Sequence, residues 1–325
     1  MAAALIALPS LRLHAQEPTD DEVIRVNTDL LVYPIRVRNK RGQVATQLTE
    51  NDLVLKDEDH VTAGLYLYPG ADRVALVFAL DQSGSLREIV NEQREAALAL
   101  VGRFGDRSQV AVIHFAEKAS LAAPFNRDTA TASLAFDFPV RTNQHTAIFD
   151  AAAAAVNAFD TLPRVRSERR IVILISDGLD NASTVKAGNV IAAAFQKQIS
   201  FYVIHLPLFE PRDGRLAVRP PAKGFRDLAE KTGGKYFLVG NASSALVSPA
   251  NKNIDLTPIF QAIEEDLRSQ YLLGFYAGEG MRDGRDHRFT ITLPAGVEYQ
   301  FGGYGFSRSH EFFVMKADDA KKLLK

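Results

Sequence analysis

Residues 74–85 of the chain have the sequence VALVFALDQSGS. The first seven are apolar, which is typical of a strand covered on both faces, as the strands of a parallel sheet are. Apolar residues then recur at helical spacing through residues 87–104. The carboxylate of Asp81 and the hydroxyls of Ser83 and Ser85 are therefore predicted on the loop at the carboxyl end of a buried strand. That edge is where open α/β sheets bind their ligands.

Strand and helix patterns alternate around this stretch, through residues 72–269. Further strands are predicted at residues 109–115, 120–125, 170–176, 200–206 and 235–239. Helices are predicted at residues 87–104, 147–158, 190–198, 224–232 and 257–269. Alternation of this kind predicts a parallel sheet with helices on both faces.

The two flanks, residues 22–70 and 271–313, have β character instead. Strands are predicted at residues 30–37, 53–55, 65–68, 271–277, 287–293 and 297–306. Neither flank has enough strands for a core of its own, and the termini of compact domains often lie close together. We therefore expect an α/β fold: a doubly wound, mostly parallel, Rossmann-like sheet inserted into a small β-sandwich formed by the N- and C-terminal flanks. Residues 314–325 are expected to be a tail.

Composition limits the classes of partner. The net charge is −1 and the pI about 6.7, so no global field attracts nucleic acid or an anionic membrane surface. The absence of cysteine excludes disulfides, thiolate metal sites and cysteine nucleophiles. No stretch approaches the ~20 apolar residues of a membrane span. The sequence carries no indication of an oligomeric state.

The first sixteen residues resemble the rear part of a secretory signal. A short apolar run is followed by His14-Ala15-Gln16, and residues 17–22 are abruptly acidic and polar. We therefore predict a signal-peptide remnant at residues 1–16 and a periplasmic or secreted protein. An ordinary chain terminus is the alternative, because the run is short and no lysine or arginine precedes it.

Two other loops are predicted beside the first. The apolar strand at residues 170–176 ends in Asp177, and Thr146 lies at the start of an alanine-rich helix. Asp81, Ser83, Ser85, Thr146 and Asp177 would then come from three loops at one edge of the sheet. An all-oxygen set without nitrogen or sulfur suits a hard cation such as Mg²⁺, and equally Mn²⁺ or Ca²⁺.

This pattern resembles the von Willebrand factor type A domain with its metal-ion-dependent adhesion site. The family pattern is D-x-S-x-S after the first strand, a threonine on the second loop, and an aspartate after the fourth strand. The match covers residues 72–269. It implies that Ser83, Ser85 and Thr146 lie near the metal, with Asp81 and Asp177 behind them and acting through water. Residues 27–42, 48–59 and 267–276 also resemble a group of exported bacterial proteins described chiefly from acidobacteria.

The resemblance implies adhesion-type binding of a protein partner, whose acidic side chain completes the coordination of the metal. No nucleophile lies beside a base in the sequence, so we do not expect an enzyme. Two alternatives remain open. The metal site could only stabilise its own fold, or Asp81 could serve a hydrolase or phosphotransferase, although Ser83 stands where that chemistry needs a second carboxylate.

Each residue of the candidate site also has a purely structural interpretation. Asp81, Ser83 or Ser85 could cap a helix, Thr146 could cap the alanine-rich helix, and Asp177 could form a plain turn. The other polar residues of the region are expected to have structural roles, with Asp180 and Asn181 shaping their loop, Asp150 exposed or capping, His145 solvated, and His114 and His205 satisfied within the core.

Overall fold

The computed structural model of the protein describes residues 30–41, 43, 45, 48–58, 60–62, 64–71, 73–82, 86–138, 145–163, 165, 168–240, 254–276, 287–301 and 309–314. Several expectations lie outside these residues. They are the signal-peptide remnant at 1–16, the positions of Ser83 and Ser85, and the tail at 315–325.

The N-terminal flank folds into short strands, as its β pattern predicts. They are β1 (Leu30–Asn39), β2 (Val54–Asp57), β3 (His60–Val61) and β4 (Tyr66–Pro69), with one 3₁₀ turn at Glu50–Asp52. Asn39 closes the turn after β1, because its side-chain oxygen accepts hydrogen bonds from the backbone N–H groups of Arg41 and Gln43.

The central sheet of the described residues has six strands. They are β5 (Arg73–Asp81), β6 (Gln109–Phe115), β7 (Ala119–Asn126), β8 (Glu168–Ser176), β9 (Ile199–His205) and β12 (Tyr236–Leu238). Their order is β12-β9-β8-β5-β6-β7, and all neighbours are parallel except the edge pair β6 and β7. A separate hairpin, β10 (Phe209–Arg212) and β11 (Arg215–Val218), precedes β12.

Helices cover both faces of this sheet. They are α1 (Arg87–Glu92), α2 (Arg94–Gly102), α3 (Ala130–Ala135), α4 (Ile148–Ala158), α5 (Ala187–Gln196), α6 (Phe225–Thr232) and α7 (Thr257–Ser269). Because successive side chains of a strand point to opposite faces, β5 serves two cores. Leu76 and Phe78 pack on the side of α2 and α7, whereas Ala75 and Val77 pack on the side of α4 and α5.

The helix predicted over residues 87–104 is interrupted at Gln93. The reason is a tertiary contact: the buried Gln93 amide donates to the Ile254 carbonyl at 2.7 Å and accepts from the Leu256 N–H at 2.9 Å. This pairing anchors the segment that leads into α7. Helix α3 and the β10–β11 hairpin were not expected from the sequence.

The C-terminal flank completes two four-stranded antiparallel sheets. It supplies β13 (Gln270–Tyr276), β14 (His287–Thr292), β15 (Val297–Phe301) and β16 (Ser309–Val314). The strand orders are β15-β1-β13-β4 and β16-β14-β2-β3, and one hydrophobic core joins the two sheets. β1 lies between two strands of the other flank, so neither flank forms its sheet alone. The predicted α/β fold with a flank-built sandwich is confirmed.

Candidate metal centre

Asp81 is the last residue of β5 and is fully buried. Its Oδ2 accepts a hydrogen bond of 2.7 Å from the Ser176 hydroxyl, at the end of the neighbouring strand β8. The helix-cap interpretation of Asp81 is wrong, because the residue ends a strand and lies six positions before α1 begins. A buried carboxylate at this edge of the sheet is costly unless charge or hydrogen bonds compensate it.

Asp177 directly follows β8 and is 7% exposed. Its Oδ1 accepts a hydrogen bond of 2.9 Å from the backbone N–H of Leu179, so the predicted turn does form. Burial raises the pKa of Asp177, while the Leu179 hydrogen bond and the positive charge of Arg219 lower it in part. A nearby cation would favour the ionised form that burial disfavours.

Thr146 is held by its backbone rather than by a capping bond of its side chain. Its N–H donates to Oδ1 of Asn181 at 2.8 Å, and its carbonyl accepts from the Asn181 N–H at 3.0 Å. The helix-cap interpretation of Thr146 is wrong. The neighbouring loop satisfies the first turn of α4 instead, through Asp180 to the Ile148 N–H at 2.8 Å and Ser183 to the Phe149 N–H at 2.9 Å.

The three loops are joined into a ring by hydrogen bonds. The loop after β5 is joined to the end of β6, because the Gln82 N–H donates to the Phe115 carbonyl at 2.8 Å. Ala116, which follows Phe115, accepts at its carbonyl from the Ala147 N–H, also at 2.8 Å. The Thr146–Asn181 and Asp81–Ser176 bonds close the ring. Asp81, Thr146 and Asp177 are thereby brought to one edge of the sheet, as expected.

The donor chemistry of this edge fits a hard cation. Two buried carboxylates and a buried threonine provide only oxygen atoms, which is the preference of Mg²⁺ and Ca²⁺. Within the described ranges, no group of three or more His, Cys, Asp or Glu side chains is arranged so that it could hold a metal ion by itself. A site here would therefore combine the carboxylates with hydroxyl groups.

His205, a core histidine as expected, also supports the loop of Asp177. Its Nε2 lies 2.8 Å from the Asp177 carbonyl oxygen, and its Nδ1 contacts the Tyr236 hydroxyl. Burial lowers the pKa of His205, while the bond to Asp177 raises it in part. Asp150 stabilises a later part of the same loop. Its Oδ1 accepts hydrogen bonds from the backbone N–H groups of Thr184 and Val185 at 2.9 and 2.8 Å.

The importance of Asn181 was missed from the sequence. The polar pair Asp180-Asn181 four residues after the strand was expected to shape its own loop, and Asp180 does so by accepting a hydrogen bond from the Ser183 hydroxyl. Both side chains also reach the start of α4. A polar pair this close to a predicted ligand loop was the available clue. The sequence also contained a clue to the β10–β11 hairpin, since Asp213-Gly214 is a strong two-residue turn sequence.

The chain matches the family model of the von Willebrand factor type A domain over residues 75–247, more than half of its length. The chain belongs to this family. Von Willebrand type A domains commonly mediate protein interactions and often bind a divalent metal. A comparison with curated proteins found no match.

Several solved structures resemble the chain. A von Willebrand factor type A protein from Catenulispora acidiphila is 14% identical, with a TM-score of 0.45 over 91% of this chain and 76% of that chain. An aerotolerance-related membrane protein from Bacteroides fragilis is 19% identical, with a TM-score of 0.43 over 60% and 98%. BatB from Bacteroides thetaiotaomicron is 22% identical, with a TM-score of 0.43 over 60% and 97%. In this chain, none of the described helices has both the length and the apolar character to cross a bilayer.

Proposed function

We propose that this von Willebrand type A domain protein binds a partner protein through a divalent cation. The cation is Mg²⁺, or Mn²⁺ or Ca²⁺, and the residues that hold it are Asp81, Ser83, Ser85, Thr146 and Asp177. The observation that carries the proposal is the convergence of buried Asp81 and Asp177 at the ends of two adjacent parallel strands, linked through Ser176.

The chain's own residues divide the work between ligation and support. The hydroxyls of Ser83, Ser85 and Thr146 would bind the ion as neutral ligands. The two carboxylates would lie behind these hydroxyls and contact the ion through water. Ser176 orients Asp81, and Asn181 holds Thr146 in register with the third loop. When bound, the ion would supply an open coordination position with excess positive charge, which suits an acidic side chain of the partner.

Binding without turnover is the function that fits Asp81. A phosphotransferase would need its carboxylate to attack a phosphoryl group directly. Asp81 is instead fully buried, and its Oδ2 already accepts the Ser176 hydroxyl. This burial favours the binding role over the enzymatic alternative.

We further propose a domain organisation and a location. Residues 72–269 would form the von Willebrand type A domain, and residues 22–70 and 271–313 the sandwich that carries it, followed by a tail at 314–325. The hydrogen bond from Gly70 N–H to the Gln270 carbonyl, 2.7 Å long, supports this division because it joins the points of entry and exit. The signal-like residues 1–16 support a periplasmic or secreted location.

The metal site is tested by titrating Mg²⁺ alone into the full chain by calorimetry. Asp81→Asn removes the charge but keeps an oxygen that can accept the Ser176 hydroxyl, so the fold should survive while Mg²⁺ binding is lost. Asp160→Asn is the control, because that side chain is 61% exposed and lies in the 3₁₀ turn after α4. Unchanged Mg²⁺ affinity in Asp81→Asn would contradict the proposed site.

Partner binding is tested by affinity capture on the immobilised wild-type chain, with elution by chelator. The proposal expects a protein that binds in Mg²⁺, leaves with EDTA and is not retained by Asp81→Asn. If Mg²⁺ raised the melting temperature but no protein were retained, the site would serve only the chain's own fold.

A further inference from the structure

A hairpin rises from the same edge of the sheet as the candidate metal centre. Residues 206–224 connect β9 to α6, and β9 is parallel to β8, so this connection leaves the sheet at the edge that carries Asp177. Its two ends are bonded on either side of that residue. Leu206 N–H donates to the Ser176 carbonyl at 3.0 Å, and Ala222 N–H donates to the Gly178 carbonyl at 2.8 Å.

Close packing also fixes the base of the hairpin against the Asp177 loop. Gly178 has a φ of +83°, and a Cβ built on it would lie 2.8 Å from Cβ of Pro221 and 3.0 Å from Nε2 of His205. No side chain fits between these groups. The base of the hairpin therefore lies directly beside the Asp177 loop of the proposed metal centre.

The hairpin itself is a regular two-stranded ribbon. Asp213 and Gly214 both have positive φ, 51° and 73°, as a type I′ turn requires. The register places Arg212 opposite Arg215 and Glu210 opposite Ala217. Since side chains alternate along a strand, one face carries Arg212, Arg215, Ala217 and a single anion, Glu210. The opposite face is formed by Phe209, Pro211, Leu216 and Val218.

The polar face has a surplus of positive charge. Like charges directly opposite each other destabilise a strand pair, yet Arg212 faces Arg215 at the tip. Arg219 and Lys223, nearer the base, are exposed as well. Among the described residues, no ion pair neutralises any of these four cations. Arg219 is close enough to Asp177 for its charge to lower the pKa of that carboxyl.

We infer that this hairpin is a docking site for an acidic segment of the partner protein, with Arg212, Arg215 and Arg219 each receiving a carboxylate. The inference rests on the proposed function and extends it: one carboxylate of the segment meets the cation, and its neighbours meet the hairpin. Guanidinium groups suit this task because they bind carboxylates through two parallel hydrogen bonds.

An acidic protein segment fits better than a nucleic acid. The cations of the proposed site lie on one hairpin and at its base, on a chain with a net charge of −1, whereas nucleic-acid binding uses an extended basic face. The occupant is therefore a short run of Asp and Glu residues.

The test uses the full chain and a fluorescein-labelled oligo-glutamate peptide, followed by anisotropy in Mg²⁺ and in EDTA. The hairpin variant carries Arg212→Gln, Arg215→Gln and Arg219→Gln. The matched control carries Arg41→Gln, Arg107→Gln and Arg127→Gln, which removes the same charge from exposed arginines outside the hairpin. We expect the hairpin variant to bind the peptide about tenfold more weakly than wild type and the control to bind unchanged.

The outcomes separate the two proposals. Equal affinity of the hairpin variant and wild type, an equal loss in the control, or tighter binding of a single-stranded oligonucleotide than of the peptide would each overturn the docking site. The same would follow if wild type did not bind the peptide. Loss of affinity in the hairpin variant with no effect of Mg²⁺ on wild type would support acidic docking and contradict the metal-dependent function. Calorimetry with Mg²⁺ alone should show that the hairpin variant still binds the metal, at least as tightly as wild type, because Arg219→Gln removes a positive charge near Asp177.

Discussion

Arg36, on strand β1 of the sandwich, donates two hydrogen bonds to Asp266, on helix α7. Nε donates to Oδ1 at 2.8 Å and Nη2 donates to Oδ2 at 2.6 Å. Lys235 adds an ion pair at 2.8 Å, and Tyr202 donates its hydroxyl to Oδ2 at 2.7 Å. Strand β1 of the sandwich therefore supplies a positive charge that compensates the buried carboxylate of helix α7.

The first prediction concerns this pair. Arg36→Met should lower the free energy of unfolding by about 3 kcal/mol, because it leaves a buried charge short of its main partner. Arg38→Met is the control on the same strand. Its ion pair with Glu298 is more than a third exposed on both sides and is worth about 0–1 kcal/mol. Urea unfolding measures both, and similar losses in the two variants would contradict the assigned role.

The second prediction concerns acid stability. Burial alone would raise the pKa of Asp266, but the hydrogen bonds and charges of Arg36 and Lys235 outweigh it and lower this pKa to about 2, from an ordinary 3.8. A lowered carboxyl pKa gives stability that is present above the ordinary value and is lost as the pH falls through the folded value. Between about pH 4 and pH 2, wild type should therefore lose about 2 kcal/mol more than Asp266→Asn. Parallel pH curves for the two proteins would refute this.

The third prediction concerns Asn181. Asn181→Ala removes the side-chain acceptor of the Thr146 N–H, so the threonine should lose its position. If Thr146 ligates a cation, Mg²⁺ affinity measured by calorimetry should fall about tenfold, the scale of lost outer support at metal sites. Asn157→Ala is the control, since Asn157 is exposed on the same α4 and contacts only Lys197 among its described side-chain bonds. An unaltered Mg²⁺ affinity in Asn181→Ala would show that Thr146 needs no such support.

The fourth prediction concerns two glycines with opposite outcomes. Gly234 lies between the end of α6 and strand β12, which pairs with β9. A Cβ on Gly234 would lie 1.7 Å from the carbonyl oxygen of Phe201, a residue of β9. Gly234→Ala should therefore destabilise the protein by about 3 kcal/mol or prevent folding. Gly188 is the second residue of α5 and has open space around it, so Gly188→Ala should stabilise by up to about 0.5 kcal/mol, less than in a helix interior. Thermal unfolding of both variants is the check, and a stable Gly234→Ala protein would contradict the close approach.

Local patterns were sufficient for most of the α/β elements. The apolar run before Asp81 and the one before Asp177 are strands because such runs are stable only when both faces are covered. Helix α7 has the bounds that its apolar spacing predicts, Thr257–Ser269. Where prediction failed, as at Gln93, a side chain was recruited by a distant segment that periodicity does not represent.

The candidate site also contains residues that the sequence predicted and residues that only the structure assigned. Asp81 and Asp177 could be grouped from the sequence because parallel strands place their carboxyl ends at one edge. Thr146 was added to them as the hydroxyl at the start of the alanine-rich helix. Their supports, Ser176 and Asn181, could not be assigned, because hydroxyl and amide groups bind whatever the fold brings within about 3 Å.

The amino-acid order alone thus determined which segments form strands and helices, and which oxygen-bearing residues follow the buried strands, since periodicity and strand polarity are local properties. Tertiary structure decided which side chains support those oxygens, how Arg36 of one flank came to compensate Asp266, and that an arginine-rich hairpin stands beside Asp177. These outcomes depend on contacts between residues far apart in the chain, and such contacts exist only once the three cores have packed.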